Sequence, residues 1–171
     1  MSSTERPPKL VRDLMTVGVR TCAPQTPLTE VARLLLETDL EGIVVLDSEG
    51  HSVGAVTRNE LIAGYVHPQA GSLTAADVML EGVPEIPPDI PITAAAQIMR
   101  DLGTRVVFLL HHAQGISWPA ATLSYTHILR HLAAQNDDEL KDLGVKAERE
   151  SPVDTFIRKR DTARRQVKHG E

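Results

Sequence analysis

Arg12–Leu36, "RDLMTVGVRTCAPQTPLTEVARLLL", returns in altered form at Ala76–Arg100, "ADVMLEGVPEIPPDIPITAAAQIMR". Asp13 falls on Asp77, Met15 on Met79, Pro24 on Pro88, Pro27 on Pro91 and Ala32 on Ala96, each pair 64 positions apart. A constant offset over so many positions marks an internal duplication, which must be settled before anything else is read. The apolar runs "GIVVL" (42–46) and "VVFLL" (106–110) keep the same offset. Beyond them it grows to 67, because "HHAQGISW" is longer than "DSEGHSV". "GAVTRNELI" (54–62) then aligns with "ATLSYTHIL" (121–129), pairing Thr57 with Ser124 and Glu60 with His127. The extra residues fall between two strands, where a hairpin loop tolerates them.

Each copy reads as strand, helix, strand, strand, helix. Thr26 is placed to cap the first helix with Pro27 at its first position. Leu28, Val31, Ala32 and Leu35 then recur at helical spacing, as do Ile92, Ala95, Ala96 and Met99. "DSEGH" and "HHAQG" supply turn residues for a hairpin. A unit of roughly sixty residues is marginal alone. The expected fold is therefore α/β (α+β), with two βαββα repeats, 7–68 and 69–135, burying their sheets against each other about a pseudo-two-fold axis. A charged, partly helical tail over 136–171 follows.

Composition narrows the function. Of 171 residues 42% are apolar, only 3% are aromatic, and the net charge is −5. Scarce aromatics argue against a base-stacking surface, and a negative balance gives no general attraction to nucleic acid. Cys22 is the sole cysteine, so no internal disulfide forms and a reducing compartment is the natural expectation. "MSSTERPPKL" lacks the apolar core of a signal peptide, and no apolar run approaches membrane-spanning length. A cytoplasmic location with no membrane partner is expected.

The ordered set "DLMT"/"DVML", "PQTPLTEVARLLLE"/"PDIPITAAAQIMRD" and "GIVVLDSEGHSVGAVTRNELI", occurring twice between about Pro7 and Ala134, resembles the CBS domain family, specifically a tandem pair, or Bateman module. The resemblance implies a regulatory or sensor module binding an adenosine-containing ligand, AMP, ADP, ATP or S-adenosylmethionine, between the repeats. In the family a G-h-h-T/S-x-x-D pattern closes each repeat. Its Asp meets the ribose hydroxyls, its Thr or Ser and nearby basic residues meet phosphates, and the first strand borders the base. Carried over, this points to Arg20, Thr21, Cys22, Thr57, Arg58 and Glu60 in the first copy, and to Ser124 and His127 in the second. Neither copy has the Asp.

The bland readings stand beside these. Thr57-x-x-Glu60 is equally a capping box, which needs no ligand. Glu60 can accept two ribose hydrogen bonds, and Arg58 offers a planar cation suited to phosphate. In the second copy Glu85 stands where Thr21 does and would repel phosphate, Pro84, Pro87 and Pro88 remove backbone donors, and His127 cannot mimic a carboxylate. The second cleft is therefore expected to be structural. His127 and His131 share a helix face near His111 and His112, yet zinc needs three or four converging ligands, and no metal is expected. Trp118 is either a base-stacking or a packing residue.

No Ser/His/Asp set, Gly-rich phosphate loop or catalytic carboxylate pair emerges, so no enzyme and no cofactor are expected. The alternative function is a ligand-independent dimerisation or protein-interaction module. Leu34 and Leu36 widen the apolar face of the first helix, predicting a homodimer, and a regulated protein partner is possible. In the tail, Ser151 and Pro152 open a helix with Val153, Phe156 and Ile157 on one stripe, followed by basic residues from Arg158 to Lys168. Truncation after Gln135 is expected to leave the fold intact.

Overall fold

A computed structural model describes residues 8–145. The stripe of Val153, Phe156 and Ile157 and the basic residues after it lie outside the described residues. The elements in order are α1 (Val11–Leu14), β1 (Thr16–Val17), β2 (Thr21–Cys22), α2 (Leu28–Thr38), β3 (Gly42–Leu46), β4 (Ser52–Thr57), α3 (Arg58–Tyr65), α4 (Ala75–Val78), β5 (Leu80–Glu81), α5 (Ile92–Leu102), β6 (Val106–Ala113), β7 (Ile116–Ser124) and α6 (Tyr125–Ala133). The duplication is visible throughout. α2 buries Leu28, Val31 and Leu35, and α5 buries the equivalent Ile92, Ala95 and Met99. α2 begins one residue later than the sequence suggests, and α5 begins at the equivalent position. Pro27 and Pro91 stand at the N-cap with ψ of 141° and 143°, and no side chain caps either helix. Both end on a left-handed residue, Asp39 (φ 50°) and Gly103 (φ 65°), which closes the last turn.

Two sheets carry the same order. One runs β2-β3-β4-β5 and the other β1-β7-β6. In the first, Thr21 pairs with Val44 in parallel; in the second, Glu85 bridges Phe108 in parallel, each residue 64 positions on. The outer strands cross over. β1, from the first repeat, pairs with β7 (Thr16 with Thr122), and β5, from the second, pairs with β4 (Leu80 with Ala55). Each repeat thus lends its opening segment to the other's sheet. Gly18 (φ 96°) and Gly82 (φ 76°) sit just after the lent strands. At both, the chain adopts a conformation that glycine alone takes without penalty.

Packing follows the exchange. Val11, Leu14 and Met15 lie in the core of the second repeat with Ile92, Met99 and Leu123. Ala75, with Val78 and Met79 against it, lies in the core of the first with Val31, Leu35 and Ile43. A third cluster, Val44, Ala55, Val106 and Phe108, joins the two sheets face to face. Neither repeat could keep its core if the other left.

The body extends past Gln135. A 3-10 turn over Asp137–Leu140 folds back on α1, and Leu140 and Leu143 are only 6% and 7% exposed, inside the second repeat's core. Arg130 ties α6 to Asp142 through both Nη atoms, and the Gly144 and Val145 amides donate to Met15 and Arg12 carbonyls. This overturns the expectation that truncation after Gln135 is harmless. Removing two buried leucines should lower stability by at least about 2 kcal/mol. Urea denaturation of a chain ending at Gln135 checks this, and an unchanged midpoint would show the turn to be ornamental.

Candidate functional site

The β4–α3 junction realises the capping box that its sequence suggests. The Thr57 amide donates to Glu60 Oε2 at 3.0 Å, the Thr57 hydroxyl also donates to Glu60 Oε2, and the Asn59 amide donates to Thr57 Oγ1 at 3.2 Å. Arg58 turns towards the end of α2. Its Nε donates to the Leu40 carbonyl at 3.0 Å, its Nη2 to Asp39 Oδ1 at 3.2 Å, and Glu41 Oε1 lies 3.7 Å from Nε. The Arg58 amide donates to the Glu41 carbonyl. Arg58 thus braces the α2–β3 turn, a role that its neighbours in the sequence did not reveal.

Beside this junction lies a cleft of about 430 Å³ shared between the repeats. Val17 at the end of β1 and the connector residues Gly18, Val19 and Arg20 line it. Thr38, Leu40 and Gly42 supply the edge nearest the capping box, and Phe108 and Thr122 come from the second repeat. Gly42 is tightly packed from behind. A β-carbon there would meet Val106 Cγ1 at 2.9 Å and Thr57 Cγ2 at 3.2 Å. Walls of Val17, Val19, Leu40 and Phe108 suit a flat apolar ring, and the volume is that of a small-molecule site. Arg20 is exposed there and is the one charged side chain among the residues lining the cleft.

The β7–α6 junction repeats the box with different chemistry. The Ser124 amide donates to His127 Nδ1 at 2.8 Å, and Ser124 Oγ lies 3.0 Å from the same nitrogen. Nδ1 is therefore the unprotonated nitrogen, and Nε2–H donates to Thr16 Oγ1 at 2.7 Å. Burial, reinforced by the Arg130 charge and opposed by Asp142, lowers the His127 pKa to about 4. His127 is thus a neutral cap and a clasp on β1. Both ring nitrogens are engaged within the protein.

A pH dependence follows. The folded pKa lies below the ordinary value near 6.5, so the unfolded chain binds the proton more readily between those values. The contribution is complete above pH 6.5 and is lost as pH falls towards 4, by up to about 3 kcal/mol. His127→Gln retains a capping oxygen and should flatten this slope with little change at pH 7.5. Denaturation at a series of pH values measures both, and an undiminished slope in the variant would assign it elsewhere.

Residues 11–67 match the family model of the CBS domain. An uncharacterized protein of Methanocaldococcus jannaschii is 34% identical over 56 residues, 33% of this chain and 33% of that protein. The match thus spans about a third of this curated relative. The CBS domain pair of protein MJ0100, solved in complex with 5′-methylthioadenosine and S-adenosyl-L-methionine, superposes with a TM-score of 0.66 at 18% identity, covering 76% of this chain and 100% of that one. CBSX2 in complex with AMP gives 0.58 at 20% identity over 72% and 95%. The chain has the fold of a tandem CBS pair.

Within this fold the expected site residues separate. Arg20 lines the inter-repeat cleft. Thr21 and Cys22 instead border a second, smaller cleft against α2 with Thr26, Glu30 and Arg33. Burial pushes the Cys22 thiol up, against the lowering hydrogen bond from Thr26. In the second copy Glu85 meets His112 Nε2 at 2.8 Å, and Trp118 packs on His111 with ring centroids 4.7 Å apart. Asp47, Glu49 and His51 also converge, in the β3–β4 hairpin, within 4.8 Å of one another. Asp47 there accepts from the Glu49 and His51 amides, a turn's own bonding. Gly18, Thr38, Leu40, Gly42, Phe108 and Thr122 were missed as cleft residues. Of these only Gly18 carried a signal, its match with Gly82. Among the described residues no helix is long and apolar enough to cross a membrane.

Proposed function

We propose that this CBS pair is a non-catalytic regulatory module that binds an adenosyl ligand, an adenine nucleotide or a relative of one, in the cleft between its repeats. The cleft's walls carry the reading: apolar faces from both repeats around a volume of about 430 Å³, so that a ligand there touches both halves. The ligands bound by the CBS pairs of MJ0100 and CBSX2 support it. Arg20 would touch the ligand directly, and the Thr57–Glu60 box would hold the Gly42 edge in place. A thermal-shift series on the full chain with AMP, ADP, ATP, S-adenosylmethionine and 5′-methylthioadenosine tests it. A ligand at a hundred times its dissociation constant should add about 2.7 kcal/mol. No shift with any of them sinks the reading.

Self-association is the second part of the proposal, and it is also the ground of a ligand-independent reading. Ile62 and Tyr65 on α3 are exposed, as are their equivalents Leu129 and Leu132 on α6, 67 positions on. Large apolar side chains exposed at matching positions of both repeats suit an interface built from the helices of two copies. Sedimentation at micromolar concentration should show a dimer. A monomer throughout would leave these faces to a different protein, the regulated partner.

A further inference from the structure

Resting on that reading of the cleft, we infer that its ligand is a phosphate-free adenosyl compound, a nucleoside, thioether or sulfonium, rather than a nucleoside di- or triphosphate. The seat that a phosphate would take at the start of α3 is filled by the protein's own carboxylate. Glu60 Oε2 receives both the amide and the hydroxyl of Thr57, the Asn59 amide is taken by Thr57 Oγ1, and the Arg58 amide by the Glu41 carbonyl. Thr57 therefore has its hydroxyl proton committed, and an anion arriving there would face Glu60 at close range.

The cation that might have drawn a phosphate is compensated as well. Arg58 lies between Asp39 and Glu41, with Nε also held by the Leu40 carbonyl. Glu41 is largely buried, and its Oε2 is shielded with no hydrogen-bond partner, so its negative charge, next in the chain to Gly42, is offset by Arg58 alone among the described residues. Behind the cleft, in the α2–β3 turn and at the start of α3, Asp39, Glu41 and Glu60 outnumber Arg58, a negative balance. A single exposed arginine does not match the several charge-assisted donors that a phosphate chain calls for. An uncharged or cationic ligand meets no such mismatch.

Calorimetry on the full chain with adenosine, 5′-methylthioadenosine, S-adenosylmethionine, AMP and ATP at fixed ionic strength decides it. The phosphate-free ligands should bind at least ten-fold tighter than ATP. Asp39→Asn with Glu41→Gln should release Arg58 and tighten ATP at least five-fold while leaving adenosine within two-fold. Asn keeps the left-handed turn at position 39 accessible. ATP or AMP binding tighter than adenosine in the unaltered chain overturns the inference and leaves the adenosyl reading standing, as does a double variant whose ATP affinity does not move. Binding of none of the five overturns both.

Discussion

Phe108→Ala is expected to lower the unfolding free energy by about 3–5 kcal/mol and to abolish stabilisation by any cleft ligand. Phe108 is fully buried and stands in the cluster that joins the sheets, against Val44, Ala55 and Val106. Its amide donates to the Pro84 carbonyl and its carbonyl accepts from the Ile86 amide, so its strand also fixes the second repeat's connector. Phe108 is also among the residues bordering the cleft. Truncation would therefore open a cavity at the junction of the repeats, directly behind the site. Phe108→Leu, which fills most of the volume, should restore over half of the stability. Urea denaturation of both variants measures this; a loss below 1 kcal/mol for alanine would mean that the repeats do not depend on that cluster.

Gly54→Ala is expected to be comparably damaging, about 3 kcal/mol, although it adds one methyl group. A β-carbon at Gly54 would stand 2.5 Å from the Leu80 carbonyl oxygen and 2.8 Å from Met79 Sδ. The first obstacle is backbone, which no rotamer change removes. β5 would have to leave β4, and β5 is the strand that the second repeat lends to the first. Gly50→Ala is a control in the same half of the chain: nothing lies within 4 Å of its β-carbon, but its φ of 85° carries a moderate penalty of about 1 kcal/mol. Thermal unfolding should therefore rank wild type, Gly50→Ala and Gly54→Ala in that order. Equal midpoints for the two variants would show that β5 yields freely.

Much of this molecule is written locally. The 64-residue offset announces two copies, apolar positions in α2 and α5 announce their buried faces, and Thr57-x-x-Glu60 announces its own capping box. Each signal lies within a few residues of the structure that it specifies, so neighbouring chemistry suffices. Ser124 and His127 were legible as a junction too, but the histidine's neutral state was not, since it arises chiefly from burial in the folded protein, with a bond to Thr16 from 111 residues away. Leu140 and Leu143 were hidden for the opposite reason. They stand among Asp137, Asp138, Glu139, Lys141 and Asp142, and a short apolar pair in a charged run has no periodicity to betray it.

The sequence by itself determined that there are two α/β repeats, where their helices and hairpins lie, and which junctions carry caps. It could not determine which repeat each opening segment joins. A constant offset is the same whether Met15 packs within its own copy or in the other, and only the turns at Gly18 and Gly82 carry the chain across. Nor could it determine that Arg58 answers to Asp39 and Glu41, because that contact closes a gap of nearly twenty residues through the α2–β3 turn. Local preference acts over a few bonds, whereas strand exchange, charge compensation and the cleft between the repeats exist only once distant segments have packed.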